Sequence, residues 1–367
     1  MSEDLAKDTQ SLDAEPQDSH PKDCLPFNPV GSDEWIKDTF EEVPRYLFPV
    51  ATPTSGGQTT KSWAKSKDAA NARASSQTDI FVRSPPRVAN MLDKHLWKKE
   101  NNKFDNFVSW TCSLLYAIQY IFYRHHEDRT SLDKIDLYIV DTTKLPKGAF
   151  VRDMDLISVF GPLNAGLQKL QGIRNGTAQN NPQSNLPDFL RSYYFGEYLS
   201  QGALNIEGSC SVVSAQEMLD AGLLDLRGEF RASRRFNLGL DERMKHLRKI
   251  FAQSGEVPRE IDKDIQAAVA IGQLFGPGWG VPVAAALMAL RPCHEEDIQT
   301  ICKELKLMLP SKSSCHLQEY GLTLLDLEDD LDSSSYSWPI KPLPFTKLLP
   351  EVQQFHEIMS TLHIVTP

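Results

Sequence analysis

None of the six cysteines (Cys24, Cys112, Cys210, Cys293, Cys302, Cys315) stands in a CxxC pair. That argues against a disulfide framework and against a zinc knuckle. No basic stretch followed by an apolar one comes after Met1, so no secretory signal is read and the sequon at Asn175-Gly176-Thr177 has no expected role. Long apolar runs are missing too. The most apolar stretch, Ile265 to Leu290, is interrupted by Gly276-Pro277-Gly278-Trp279-Gly280 and by Pro282. A membrane helix needs about 20 apolar residues in a row, so two buried helices joined by a tight turn are expected here. No membrane partner is expected, and the expected compartment is intracellular, cytoplasm or nucleus. Neither G-x-x-x-x-G-K-[ST], nor G-x-G-x-x-G after a strand, nor H-E-x-x-H, nor G-x-S-x-G is found.

What is present is an ordinary globular composition. The 367 residues, 41% hydrophobic and 24% charged, suffice for one large domain or two ordinary ones. The net charge of −10 is unevenly placed: residues 1–42 hold twelve acids and three bases, the remainder 37 acids and 36 bases. The body is therefore nearly neutral, and nothing steers it globally toward nucleic acid or membrane. A local exception is residues 227–249, where eight bases, Arg227 to Lys249, face three acids. With only Phe230 and Phe236 nearby, that segment reads as a solvated helix face and loop, and a nucleic-acid partner is not expected.

Along the chain, residues 1–42 read as a disordered acidic tail, with order beginning near Val43. Tyr46 to Val50 reads as a strand that Pro49 confines to an edge or an end, and residues 52–79 as a long polar surface loop. An extended Asn106–Thr111 leads into a helix over about 112–126, with Leu114, Leu115, Ile118, Ile121 and Phe122 on one face and Thr111 at the N-cap. Ile135–Asp141 is a strand and 172–187 a mobile loop. Residues 193–213 are extended pieces around Gly202 and Gly208. Ser214-Ala215-Gln216-Glu217 is a capping box. Helices carrying Met244-Leu247-Ile250 and Ile298-Ile301-Leu305 follow, then an acidic linker and a last helix over about 351–362. The expected architecture is α+β: residues 43–230 form an α+β domain, 241–310 a helical region packed on it, and 311–367 a linker and C-terminal helix.

Cys293-His294 and Cys315-His316 lack the second pair of ligands that zinc requires, so no metal is expected. Three blocks remain: Val43-Pro44-Arg45-Tyr46-Leu47-Phe48, Phe107-Val108-Ser109-Trp110-Thr111-Cys112-Ser113-Leu114-Leu115, and Glu197-Tyr198-Leu199-Ser200-Gln201-Gly202. On these blocks the chain, from about Val43 to Pro310, resembles a domain family of unknown function found in many fungal proteins. More distantly, their order is similar to the ADP-ribosyltransferase fold of the Arg–Ser–Glu type, a fold-level analogy. That fold has an Arg ending the first strand, a Ser-Thr-Ser stretch before a helix and a Glu opening a late strand.

The resemblance implies NAD as a substrate. Breaking the nicotinamide–ribose bond passes through an oxocarbenium-like transition state that a nearby carboxylate stabilises. Glu197 would hold the ribose hydroxyl and supply that field, Ser109 with Thr111 would orient the ribose and support Glu197, and an Arg would anchor the phosphates. The chain departs from the pattern twice. Pro49 stands where the anchoring Arg belongs; Arg45, the substitute, is four residues earlier, ~13 Å along an extended strand. Phe195 stands where arginine- and guanine-modifying members carry Gln or Glu. Taken singly, the residues also have structural readings: Glu197 an exposed strand residue, Ser109 a satisfied hydroxyl, Thr111 a helix cap. The other class of function compatible with the sequence is a non-catalytic interaction or scaffold protein, keeping the fold and binding a protein partner.

Overall fold

A computed structural model of the chain describes residues 23–99, 102–175, 193–233, 239–252, 260–308 and 349–364. The first half contains β1 (Tyr46–Leu47), β2 (Val50–Ala51), β3 (Gln58–Thr59), β4 (Trp63–Lys65), α1 (Lys67–Ala70) and α2 (Pro85–Leu96). There follow β5 (Phe107–Thr111), α3 (Leu114–Glu127), β6 (Asp136–Asp141), β7 (Val151–Arg152), α4 (Asp153–Phe160) and α5 (Ala165–Arg174). Next come β8 (Glu197–Gln201), β9 (Ala203–Asn205), β10 (Cys210–Ser214) and α6 (Ala215–Asp220). The rest is helical: α7 (Leu223–Leu226), α8 (Gly228–Ser233), α9 (Leu240–Arg248), α10 (Ile261–Leu274), α11 (Gly280–Met288), α12 (Glu295–Lys306) and α13 (Pro350–Ile364). The mixed α+β class is as the sequence led us to expect.

Among the described residues all strand pairs are antiparallel and form three small sheets. One has β6 between β10 and the β1/β2 segment, the second has β8 between β5 and β7, and the third runs β3-β4-β9. Pro49 has no N–H, and the expected strand breaks there into β1 and β2. The broken segment is an edge of the first sheet, as expected, and that edge is partly covered. The Pro49 carbonyl accepts from Tyr138 N–H on one side, while Phe48 N–H donates to the Thr111 carbonyl on the other (2.7 Å), tying the first sheet to the second.

Helix α3 starts two residues later than its apolar period suggests. Ser113, rather than Thr111, is the N-cap, its hydroxyl accepting from Tyr116 N–H. Leu115, Ile118, Ile121 and Phe122 are fully buried, each contributing about 1.5–3 kcal/mol of burial. They share one core with β6 and with α10, α11 and α12, so the helical half packs directly on the strands. Within the helical half, Gly272 on α10 lets α11 approach closely: a Cβ there would stand 2.5 Å from the Gly280 carbonyl.

Three expectations are corrected. The acidic segment has defined structure from Asp23 onward, because Phe27, Ile36 and Phe40 pack into a second core with α2 and α4. A 3-10 helix spans Gly31–Glu42. Residues 52–79 are not one surface loop either. They hold β3, β4 and α1, and bury Ala64, Ser66, Asp68 and Ser76; these polar groups look loop-like in sequence but are satisfied internally, Asp68 by Arg73 and Ser75. The expected loop over 172–187 is helical to Arg174, and its remainder, Arg234–Arg235 and the acidic linker lie outside the described residues. No helix among the described residues is long and apolar enough to cross a membrane.

Candidate functional site

The β5–β8 register decides what meets what. Thr111 is directly opposite Glu197, Trp110 opposite Tyr198, and Ser109 opposite Leu199. Period-2 alternation then puts Ser109, Thr111 and Glu197 on one face, with Ser109 the diagonal neighbour of Glu197. Trp110 and Tyr198 take the other face and fill a third core. The structure thus brings Ser109 and Glu197 together: Ser109 Oγ–H donates to Glu197 Oε1 at 2.7 Å. Gly196 sets the approach to β8. Its φ is +68°, and a Cβ there would lie 2.4 Å from Cys112 Sγ, so a side chain is excluded just before Glu197.

Thr111 borders the same cleft, but its hydroxyl faces inward along the chain. It donates to the Phe195 carbonyl (2.7 Å) and accepts from Ser113 N–H (3.0 Å), pinning the start of β8 to the start of α3. Arg45 is not brought to the site. Its guanidinium holds Asp141 (3.1 Å) and lies over the Tyr46 ring, whereas Phe48, Pro49 and Val50 of that segment line the cleft. The cofactor-binding role expected of Arg45 therefore has no geometry here; the side chain stands on the wrong side of the Pro49 break.

Four residues that sequence reasoning missed, His95, Asp105, Arg174 and Asp153, complete the site. His95, on α2, has Nε2 2.8 Å from Ser109 Oγ and Nδ1 2.8 Å from Asp105 Oδ2. Arg174, the last residue of α5, donates through Nη2 to Glu197 Oε2 (2.8 Å) and also pairs with the fully buried Asp153. Asp105, His95, Ser109, Glu197, Arg174 and Asp153 form one continuous polar chain drawn from six different elements or segments. The available signal was weak: a basic cluster, Lys94-His95 and Lys98-Lys99, at the end of α2, and a lone Arg at a helix end.

Charges along this chain support one another. Burial pushes the Glu197 carboxyl up, but Arg174, His95 and Lys98 outweigh it and hold the group below its ordinary 4.5. Burial opposes charge on His95 as well; Asp105, by charge and hydrogen bond, and then Glu197 raise it above its ordinary 6.5. Glu197 itself is only 9% exposed, against the exposed position its strand context allows, while Ser109 is open to the cleft.

The cleft measures about 490 Å³, within the range of small-molecule sites. Tyr116 and Tyr120 line one wall and stack on each other (6.1 Å, 9°), within a run of rings that Phe195 (4.8 Å and 11° from Tyr116) and Tyr123 extend beyond the lining. Phe195, a departure from the expected pattern, thus backs Tyr116 without lining the cleft. Lys98 lies 3.8 Å above Tyr120. Lys94, Lys99 and Arg124 add positive charge at the same cleft; Arg124 is held by Asp128 and donates to Thr54. No group of three or more potential metal ligands occurs among the described residues.

Residues 42–170 match a family model described as a domain of unknown function, DUF7587. The match contains Arg45, His95, Asp105, Ser109 and Thr111 but ends before Arg174 and Glu197, and well before the Pro310 limit read from the sequence. No curated protein and no solved structure matches the chain.

Proposed function

We propose that the cleft binds a nicotinamide dinucleotide in the manner of an ADP-ribosyltransferase, with Ser109 and Glu197 beside the nicotinamide ribose, and that turnover is weak. The observation that carries this reading is the 2.7 Å Ser109–Glu197 hydrogen bond on the wall of an aromatic, cation-rimmed cleft. The rings of Tyr116 and Tyr120 suit a flat heterocycle, and Lys94, Lys98 and Arg124 suit phosphates. In the reaction, the bond from ribose C1′ to the nicotinamide nitrogen breaks and its electron pair stays with nicotinamide. A water or acceptor oxygen bonds to C1′ and loses a proton, and the Glu197 carboxylate stabilises the positive charge that develops on the sugar.

Two observations argue for slow chemistry. Both oxygens of Glu197 are engaged, one by Ser109 and one by Arg174, so a ribose hydroxyl must compete for them. Pro49 offers no cation where a strand-borne phosphate anchor is expected. These same facts favour a second reading, a non-catalytic interaction protein that retains the fold. Calorimetry with NAD and ADP-ribose, together with release of nicotinamide by wild type and Glu197→Ala, separates the two. Binding that depends on the cleft, with release above the Glu197→Ala background, supports the first; no binding of either ligand sinks it.

A further inference from the structure

The protons available to the polar chain are fewer than its contacts, and their count restricts its state. Ser109 has one hydroxyl proton and two neighbours within hydrogen-bond distance, His95 Nε2 at 2.8 Å and Glu197 Oε1 at 2.7 Å. If His95 is neutral with its proton on Nδ1 toward Asp105, Nε2 can only accept. Ser109 can then serve His95 or Glu197 but not both, and one close contact sets lone pair against lone pair. With Asp105 kept as a carboxylate, two arrangements satisfy every contact with the same number of protons. In one, His95 is an imidazolium donating to Asp105 and Ser109, and Ser109 donates to ionised Glu197. In the other, His95 is neutral, Ser109 donates to it, and a protonated Glu197 donates to Ser109.

The neighbouring charges choose between them. His95 faces Asp105 from the segment before β5 and Glu197 from β8, with Lys98, just past the end of α2, as the opposing charge; the ring of Phe107 packs beside it at 5.5 Å. Glu197 faces Arg174 on its far oxygen, with Lys98 also near. A carboxylate flanked by an arginine and a histidine flanked by two carboxylates both favour the charge-separated state. We infer that His95, braced by Asp105, is a positioning residue that in its doubly protonated form fixes the Ser109 hydroxyl onto Glu197. Its effect on ligands rests on the nicotinamide-dinucleotide reading above; its protonation and contacts do not. When His95 loses its proton, the Ser109 hydroxyl turns toward Nε2 and Glu197 Oε1 loses its donor. The arrangement of the cleft therefore changes as pH rises through the titration of one ring.

The test uses the full chain with isotope-labelled histidine, the ring signals being followed by NMR from about pH 5 to about pH 9. His95 is assigned among the nine histidines by the signal lost in His95→Gln. The expected result is a ring carrying two protons at neutral pH, titrating above the ordinary histidine value and moving down in Asp105→Asn. The Gln side chain retains an N–H donor without a titrating group. His95→Gln is therefore expected to bind ADP-ribose more tightly than His95→Ala and to lack the alkaline limb of the wild-type pH profile. His95→Ala weakens binding roughly 10- to 100-fold, the weight of one hydrogen bond to a charged group. A His95 ring that titrates at or below the ordinary value overturns the inference, as does one with a single proton at neutral pH. A wild-type protein that ignores ADP-ribose and NAD defeats the functional reading, while the ring titration still decides the role of His95.

Discussion

Ser113 and Glu351 stand 238 positions apart in the chain, and the Ser113 hydroxyl donates to Glu351 Oε1 at 2.6 Å. Arg248 closes on the same carboxylate through Nε and Nη2 (2.7 Å) and gives its remaining nitrogen, Nη1, to the Tyr194 carbonyl. All three side chains are buried. The C-terminal helix α13 thus contributes the counter-charge that joins the N-cap of α3 to the residues leading into β8.

Removing that counter-charge should be costly. Glu351→Ala leaves Arg248 buried without its carboxylate, and the expected loss is about 3–5 kcal/mol of unfolding free energy, the usual consequence of breaking one side of a buried pair. Denaturant melts followed by tryptophan fluorescence measure it. A change below about 1 kcal/mol, the range of an exposed pair, would mean that α13 does not dock as described.

The pH dependence of stability has two limbs. The folded-state pKa of His95 is raised above 6.5, so its contribution is complete below that value and is lost as pH rises through the folded pKa. Glu197 and Glu351 are both held below 4.5, so their contributions are complete above 4.5 and are lost as pH falls through the folded values. Urea midpoints measured across this range should fall on both sides, and Asp105→Asn should flatten the alkaline side alone.

Arg174 and Glu197 should be strongly coupled. Arg174→Ala strands Asp153 and Glu197 together, two buried carboxylates without their shared cation, and should cost about 3–5 kcal/mol. Adding Glu197→Gln to that variant should restore part of the loss, with a coupling of about 0.5–3 kcal/mol in a double-mutant cycle. Strict additivity would show that the two side chains do not meet.

Gly272→Ala tests the packing of the helical half. Its new methyl would collide with backbone, the Gly280 carbonyl, and should cost about 1–3 kcal/mol. Gly228→Ala, where nothing lies within 4 Å of the added atom, is the control and should stay within about 0.5 kcal/mol of wild type.

The sequence made local features readable and left most of their partners hidden. The apolar period of α3, the β-rich run of β6 and the Ser214–Glu217 capping box all act over a few residues, and each has its expected form. Ser109 and Glu197 were found through a pattern of blocks, and the β5–β8 register explains why that pattern keeps them together. His95 and Arg174 left no comparable sign, because a helix residue becomes a neighbour of β5 or β8 only through tertiary packing. Residues 23–42 were misjudged from their acids; Phe27, Ile36 and Phe40, spread thinly among them, determine where that segment lies. Arg45 as a substitute anchor assumes one continuous extended strand, an assumption that fails once Pro49 breaks it.

From Asp105 to Asp153 the ionised groups of the site alternate in sign: carboxylate, imidazolium, carboxylate, guanidinium, carboxylate. Deleting any inner member leaves like charges as neighbours, so single replacements meet resistance from both sides. Inheritance at these five positions should accordingly move in steps of two. In diverged relatives that carry the whole chain, we expect His95 to vary together with Asp105, and Arg174 together with Asp153 or Glu197, each exchange keeping the sum of charges constant.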